Sequence, residues 1–242
     1  MSRPVLHRGP TLPYRPMAGV VPCPGGWLVA GAKLQGITLS VEIPQVMRTL
    51  VEVLDYRPSF EIIALHAPIG LLDDAHPGGR ACDAEARRLL GPRRGAAVAS
   101  APWRRLLEAP DAEIPVLAGL SAPSRKRLAQ YREVVREMQP YRQRTVYEVH
   151  PEVSFHQLNN DAALRFGKMT QQGRAERRAI LEARFPGVER LLDVPLPRIG
   201  THHLLDVAAC LWTCRRIAAR AVVRMPTDPE WDSAGLRMEI VR

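Results

Sequence analysis

The sequence is poor in aromatic residues and lacks any long apolar run. Only 5% of its 242 residues are aromatic, so a platform on which successive bases of a single strand stack is not expected. No apolar segment approaches the roughly 20 residues that a membrane-spanning helix needs. No hydrophobic stretch precedes Met17, which argues against a secretory signal. We therefore expect a cytoplasmic protein that does not bind membranes.

Cysteine is also rare in this chain. The four cysteines lie at positions 23, 82, 210 and 214, and their spacing matches no pair of zinc ligands. Cys210 and Cys214 are one helical turn apart, which indicates two small side chains buried in a helix. We therefore expect four reduced thiols.

The remaining composition is that of an ordinary globular protein, with 46% hydrophobic and 24% charged residues. A chain of this length can bury one sizeable core. Residues 1–16 contain four prolines and are expected to form an extended N-terminal arm. Residues 17–242 are expected to form a single domain with a helical insertion around residues 72–143.

The charge balance is strongly basic, with 34 Lys+Arg against 25 Asp+Glu and a formal net charge of +9. Residues 124–190 hold fourteen of the basic residues and eight acids. Such an excess attracts phosphate groups, so we expect nucleic acid or another phosphorylated anion as the partner. The alternative is a coding bias, because all but three of the basic residues are arginine.

Hydrophobic patterning predicts a mixed α/β fold. Short strands separated by glycine-containing gaps predict an antiparallel meander over residues 18–21, 26–30 and 36–41. Apolar runs predict two further strands at 60–65 and 145–149, the first buried on both faces. Helices are predicted at 44–54, 83–90, 124–138, 175–185 and 204–223, with a closing strand at 236–241. This order predicts an antiparallel three-strand meander plus parallel strands, flanked by helices.

The segment from Tyr147 to Phe155 combines strand formers with three ionisable side chains. Alternation along a strand places Glu148 and His150 on the same side. A carboxylate beside an imidazole at the carboxyl end of a strand suits a catalytic or metal site. The alternative is a surface glutamate followed by a helix-capping segment. His66 also ends a predicted strand, either as a ligand or as a core histidine with satisfied hydrogen bonds.

Asp206 lies in an otherwise apolar predicted helix. Burying a carboxylate without compensation costs free energy, so Asp206 is expected to meet a metal or a basic partner. The alternative is an acid that the helix dipole stabilises. Glu148 and Asp206 are the candidate metal ligands, and His66 and His150 join them as candidate catalytic residues.

A group of basic side chains follows the Glu148 strand and could bind a phosphate. Arg174 and Arg178 are one helical turn apart, and Lys168 and Arg177 lie in the same stretch. Arginine binds phosphate oxygens well because its donors form a fork. Arg80 is a further candidate for ligand binding, or pairs with Asp83 at a helix start. The alternative for the whole group is a solvated charged face, which is also our interpretation of residues 125–127.

Eight segments in colinear order carry a resemblance to a known family. They are residues 19–27, 67–71, 80–87, 147–155, 168–170, 173–178, 205–209 and 235–240. Together they resemble the family named domain of unknown function 429, which is placed among ribonuclease H-like proteins as predicted nucleases. The resemblance extends from about Met17 to the C-terminus, and it implies a ribonuclease H-like fold and a divalent metal site.

Two departures from the family pattern concern the implied metal site. The family has aspartate at the positions of Val21 and His66. In ribonuclease H-like nucleases the first of these acids bridges two magnesium ions about 4 Å apart. Valine offers no lone pair, and a histidine nitrogen is a poor ligand for magnesium. Glu148 and Asp206 are the acids that remain.

Three functions are consistent with this pattern. The protein keeps the fold and binds nucleic acid or a phosphorylated ligand, with weak or no magnesium-dependent cleavage. Alternatively, it is an active metal-dependent phosphodiesterase that uses Glu148, Asp206 and the histidines with Mg, Mn or Zn. The third possibility is a non-catalytic interaction module.

Overall fold

The computed structural model describes residues 13–110 and 125–242. Its main sheet has six strands, which are mostly buried where they pass through the centre of the molecule. The strands are β1 (Arg15–Cys23), β2 (Gly26–Gln35), β3 (Thr38–Val41), β4 (Gln45–Met47), β5 (Ile62–Leu65) and β6 (Val146–Glu148).

The strand order is β3-β2-β1-β5-β6, and β4 also pairs with β2. Strands β1, β2 and β3 form the predicted antiparallel meander. Gly25 and Gly26 make the turn between β1 and β2 with φ values of 92° and 138°, which only glycine adopts readily. Strands β5 and β6 extend the sheet in parallel with β1. The predicted mixed sheet with flanking helices is confirmed.

Helices surround this sheet, and a small second sheet lies near the C-terminus. Among the described residues, no helix combines the length and the apolar character required to cross a membrane. The helices are α1 (Leu50–Leu54), α2 (Ala81–Arg94), α3 (Arg104–Glu108), α4 (Leu128–Glu137), α5 (Pro151–Leu158), α6 (Gln171–Arg184), α7 (Glu189–Leu192) and α8 (Thr201–Ala218), and the small sheet pairs β7 (Arg224–Met225) with β8 (Ile240–Val241).

The two faces of the main sheet bury separate hydrophobic clusters. Val21 and Val149 belong to the cluster that α8 covers. Val20 and Val146 belong to the cluster on the opposite face, as the alternation of side chains along a strand requires. Gly19 lets α8 approach β1 closely, because a Cβ atom there would come within 2.5 Å of a backbone oxygen of the helix.

The helix predicted over 204–223 spans Thr201–Ala218 instead, and three other predicted elements differ in kind, extent or pairing. The helix predicted over 44–54 is wrong in its first half, because residues 45–47 pair with the edge of β2 and the helix begins only after the N-cap Thr49. The helix predicted over 83–90 begins at Ala81 and continues past a kink at Gly91 to Arg94. The closing strand is limited to Ile240–Val241, and it pairs with β7 instead of the main sheet.

Two other boundaries predicted from the sequence fall partly outside the described residues. Residues 1–12 of the expected arm lie outside the described residues, and β1 already begins at Arg15. Ser124, the predicted start of one helix, also lies outside them. In the expected helical insertion at 72–143, the described residues contain α2, α3 and α4.

Candidate functional site

A cleft of about 530 Å³ opens at the carboxyl ends of the parallel strands. The residues that follow β5 and β6 form its floor, and the loop after α2 forms one wall. The start of α4 and the segment before α6 supply basic side chains. Its ionisable lining residues are His66, Arg80, Asp83, Arg94, Arg127, Tyr131, Glu148, His150, Glu152 and Lys168.

His66 and His150 meet on the floor of the cleft. Their rings are 4.9 Å apart between centroids and nearly perpendicular. His66 Nε2 lies 3.2 Å from Nη1 of Arg127. A guanidinium only donates hydrogen bonds, so this nitrogen accepts and neutral His66 carries its proton on Nδ1. Burial, the neighbouring His150 and the charge of Arg127 hold the pKa of His66 well below its usual value.

His150 lies just beyond β6 and caps α5. Its Nδ1 accepts a hydrogen bond from the backbone N–H of Glu152 at 3.3 Å. Neutral His150 therefore carries its proton on Nε2 and presents an N–H donor. Burial and the charge of Lys168 lower its pKa to about 4, which keeps the ring neutral at pH 7. A protonated Nε2 offers no lone pair to a metal, so this geometry suits an anion better than a cation.

Glu148 belongs to a buried ionic cluster with Arg80 and Asp83. Arg80 donates to both oxygens of Glu148, at 2.6 and 2.9 Å, and to both oxygens of Asp83, at 2.7 and 3.1 Å. Its fifth N–H bonds to the Gly70 carbonyl at 2.8 Å. The backbone N–H of Ile69 also donates to Glu148, at 2.8 Å. All five N–H groups of Arg80 are thus engaged within the protein, and its role in binding a ligand stays a prediction.

The Glu148 carboxylate is therefore already paired with a basic side chain within the protein. Burial raises its pKa above the usual value, and the charge of Arg80 opposes that effect. For Asp83, burial also acts upward, but the charge and hydrogen bonds of Arg80 outweigh it and the pKa falls below its usual value. Both acids thus depend on one guanidinium for their compensation.

Asp206 lies on the other face of the sheet, on α8. Its Oδ2 accepts a hydrogen bond from Nζ of Lys168 at 2.6 Å, while its buried Oδ1 has no partner among the described residues. Glu148 lies on the opposite face of the sheet, on the same side as Val146. Glu148 bonds to Arg80 and Asp206 bonds to Lys168, so the two acids have separate partners. No group of three or more histidine, cysteine or acidic side chains in residues 13–110 and 125–242 could hold a metal ion. The proposed pairing of Glu148 with Asp206 around one metal therefore does not fit the donor set.

The three arginines of α6 that were predicted to bind a ligand have different surroundings. Arg177 is fully buried, and its five N–H groups bond to Glu152 and to the carbonyls of Phe166 and Gly173. Arg177 is part of the core, and its role in ligand binding stays a prediction. Arg178 instead pairs on the surface with Glu182 and Asp193.

Arg174 does not join Arg178 in a common clamp. Its Nη1 bonds to the carbonyl of Met169 at 2.7 Å, beside the segment that lines the cleft. Of the four basic residues expected in this stretch, the structure therefore brings Lys168 to the cleft and places Arg174 near its rim.

Two basic residues that line the cleft were not predicted from the sequence. Arg127 lies in the run that we interpreted as a solvated helix start, yet its side chain bonds to His66. Arg94 ends α2, and its Nε has no hydrogen-bond partner among the described residues. Like Arg94 at the end of α2, Arg127 lies at a helix end, directly before α4. A position at a helix end is a weak signal for a binding residue, because most charged residues at helix ends face solvent.

Val21 occupies the position where the family pattern has an acid. It follows Val20, which pairs with Leu65 in the parallel register, so Val21 adjoins His66 at the carboxyl edge. Its side chain is 1% exposed and packs in the cluster under α8. Neither Val21 nor His66 supplies a carboxylate, and Val21 packs in the hydrophobic core instead.

Fold and cleft together define a mixed α/β protein with a basic, histidine-lined cleft at the carboxyl edge of its parallel strands. Residues 19–231 match the family described as Protein of unknown function (DUF429), and the chain belongs to that family. No curated protein matches the chain significantly, and no solved structure does so either.

The lowered pKa of His150 predicts a loss of stability in mild acid. The unfolded chain, with a histidine pKa of 6.5, takes up a proton before the folded protein does at about 4. The free energy of unfolding should therefore fall as the pH is lowered from 6.5 towards 4, by at most about 1.4 kcal/mol per pH unit for this histidine. Urea unfolding between about pH 7 and pH 5 measures the effect.

His150→Asn isolates this contribution, because asparagine also caps a helix but does not titrate. The variant should show a shallower pH dependence than the wild type. His76→Asn, at an exposed position, serves as the control and should leave the profile unchanged. Parallel profiles for the wild type and His150→Asn would contradict the prediction.

Proposed function

We propose that this chain is a ribonuclease H-like protein that binds a phosphate-bearing ligand in its cleft without magnesium-dependent cleavage. One observation carries the proposal. The carboxyl edge of the sheet presents cations and N–H donors, while the acids of that edge are replaced or already bonded to basic side chains. The strand order β3-β2-β1-β5-β6, with an antiparallel meander and two parallel strands, supports the fold assignment.

The donor set supports binding without metal catalysis. Magnesium requires several hard oxygen ligands in a near-octahedral arrangement. Val21 and His66 offer none, Glu148 is bonded to Arg80, and Asp206 is bonded to Lys168. A two-metal mechanism for phosphodiester cleavage therefore lacks its carboxylates.

The cleft also offers what a phosphate needs. Its lining includes the basic residues Arg94, Arg127 and Lys168. Among the described residues, each of the three forms an ion pair with at most one acid. Charge-assisted hydrogen bonds from such groups to phosphate oxygens are stronger than neutral ones. The N–H of His150 adds a donor that stays neutral at pH 7.

The size of the cleft indicates the class of ligand. A volume of about 530 Å³ lies within the range of sites for small molecules and accommodates one nucleotide-sized unit. The wall formed by residues 96–101 consists of alanine, valine and serine, which suits the apolar face of a base. Exposed basic residues that adjoin the lining arginines in sequence, Arg93, Arg125 and Lys126, would favour further phosphates of a nucleic acid.

Calorimetric titration with adenosine 5′-monophosphate tests the proposal. We expect binding in the presence of EDTA, and a loss of at least about tenfold in affinity for Arg127→Met, which corresponds to roughly 1.4 kcal/mol. Arg15→Met removes an arginine from an exposed ion pair with Glu61 and should leave the affinity unchanged.

A cleavage assay distinguishes the alternative enzyme. We expect no magnesium- or manganese-dependent cleavage of single-stranded or duplex DNA or RNA. Metal-dependent cleavage that Asp206→Asn abolishes would support the phosphodiesterase instead. Absence of binding to both the nucleotide and nucleic acids would favour an interaction module and overturn the proposal.

A further inference from the structure

Lys168 and Asp206 form an ion pair at the edge of the cleft. Lys168 follows Gly167 and precedes α6, and its Nζ donates to Asp206 Oδ2 at 2.6 Å. The aspartate side chain is 4% exposed and that of the lysine 25% exposed. The pair thus joins a buried carboxylate to a cation that lines the cleft.

Asp206 depends strongly on this lysine. It lies on α8 among Leu205, Val207 and Ala208, all of them buried, and its Oδ1 has no hydrogen-bond partner among the described residues. A buried carboxylate without a counter-charge is strongly destabilising. Among the described residues, Lys168 makes the one ion pair recorded for this acid.

Lys168 in turn has donors to spare. An ammonium group carries three N–H donors, and the bond to Asp206 uses one of them. The side chain lines the cleft together with His66, His150 and Arg127. Within the part of the chain that the structure describes, Lys168 is held by one carboxylate and has two donors left over beside the cleft. A bound metal ion links a protein acid to a phosphate oxygen in the same way.

We propose that the ammonium of Lys168 takes the place of a divalent cation in this cleft, binding Asp206 on one side and the phosphate of the ligand on the other. The inference rests on the proposed function and specifies its chemistry, because it makes phosphate binding independent of metal. It also explains how the charge of the buried Asp206 is compensated. Val21 and His66 supply no carboxylates with which Asp206 could hold a metal ion, and the ammonium of Lys168 supplies the positive charge instead.

Lys168→Met tests this inference, because methionine keeps an unbranched apolar side chain and removes the charge. Affinity for adenosine 5′-monophosphate, measured by calorimetry, should fall at least about tenfold, whereas Lys168→Arg should retain most of it. Lys33→Met is the matched control, since Lys33 also pairs with an acid, Glu42, at 3.1 Å but lies on β2. The control should bind as the wild type does.

The wild type should bind the nucleotide equally well in EDTA and in magnesium. Tighter binding in magnesium by tenfold or more, or unchanged affinity in Lys168→Met, overturns the role of Lys168 but leaves the proposed phosphate site intact. Absence of binding by the wild type overturns both. If Lys168→Met does not fold, the double variant Lys168→Met with Asp206→Asn removes the unpaired charge, and it should fold yet bind at least tenfold more weakly.

Discussion

Arg80→Met should lower the free energy of unfolding by about 3–5 kcal/mol, the usual loss when one partner of a buried ion pair is removed. Arg80 is 3% exposed and compensates both Glu148 and Asp83. Without it, two buried carboxylates lose four hydrogen bonds and their counter-charge. Such a loss is a large fraction of the roughly 5–15 kcal/mol that stabilises a typical domain.

Urea unfolding of matched variants measures this effect. Arg105→Met is the control, because Arg105 pairs with Asp74 in an ion pair whose side chains are 72% and 60% exposed; it should cost about 0–1 kcal/mol. Arg80→Lys should lie between the two, because lysine keeps the charge but lacks the forked donors. Equal losses for Arg80→Met and Arg105→Met would show that the cluster contributes no more than a surface pair.

Arg177→Met should be destabilising by a similar amount, about 3–5 kcal/mol, because it leaves Glu152 buried and unpaired. The guanidinium makes three bonds to this acid, at 3.1, 2.9 and 2.7 Å. Arg178→Met, on the same helix, removes a partly exposed arginine from its pairs with Glu182 and Asp193. Its cost should stay near 0–1 kcal/mol.

A double variant separates the value of the pair from the cost of breaking it. Replacing both charges, as in Arg177→Met with Glu152→Met, removes the unpaired acid. Replacement of a buried ion pair by apolar side chains of similar volume is often neutral or stabilising. We therefore expect the double variant to recover most of the stability that Arg177→Met loses. A double variant as unstable as the single one would instead indicate that packing around Arg177, and not the charge of Glu152, sets the cost.

The main sheet follows largely from local sequence patterns. Glycine at positions 25 and 26 and the apolar runs around them predict the meander, because turn geometry and strand alternation act over a few residues. The helix predicted over residues 45–47 is wrong because these residues form a strand only by pairing with β2. An edge strand of three residues has little propensity of its own, and the exposed Val46 resembles one position of an amphipathic helix.

The sequence by itself also determined that two edge positions, Val21 and His66, hold no carboxylate, because this depends on residue identity alone. The tertiary structure decided what the remaining charges do. Arg80 meets Glu148 across 68 positions of sequence, and Lys168 meets Asp206 across 38. With 31 arginines in the chain, local patterns cannot assign a partner to each acid. Chain folding selects the pairs, because burial makes an unpaired carboxylate far costlier than one in water.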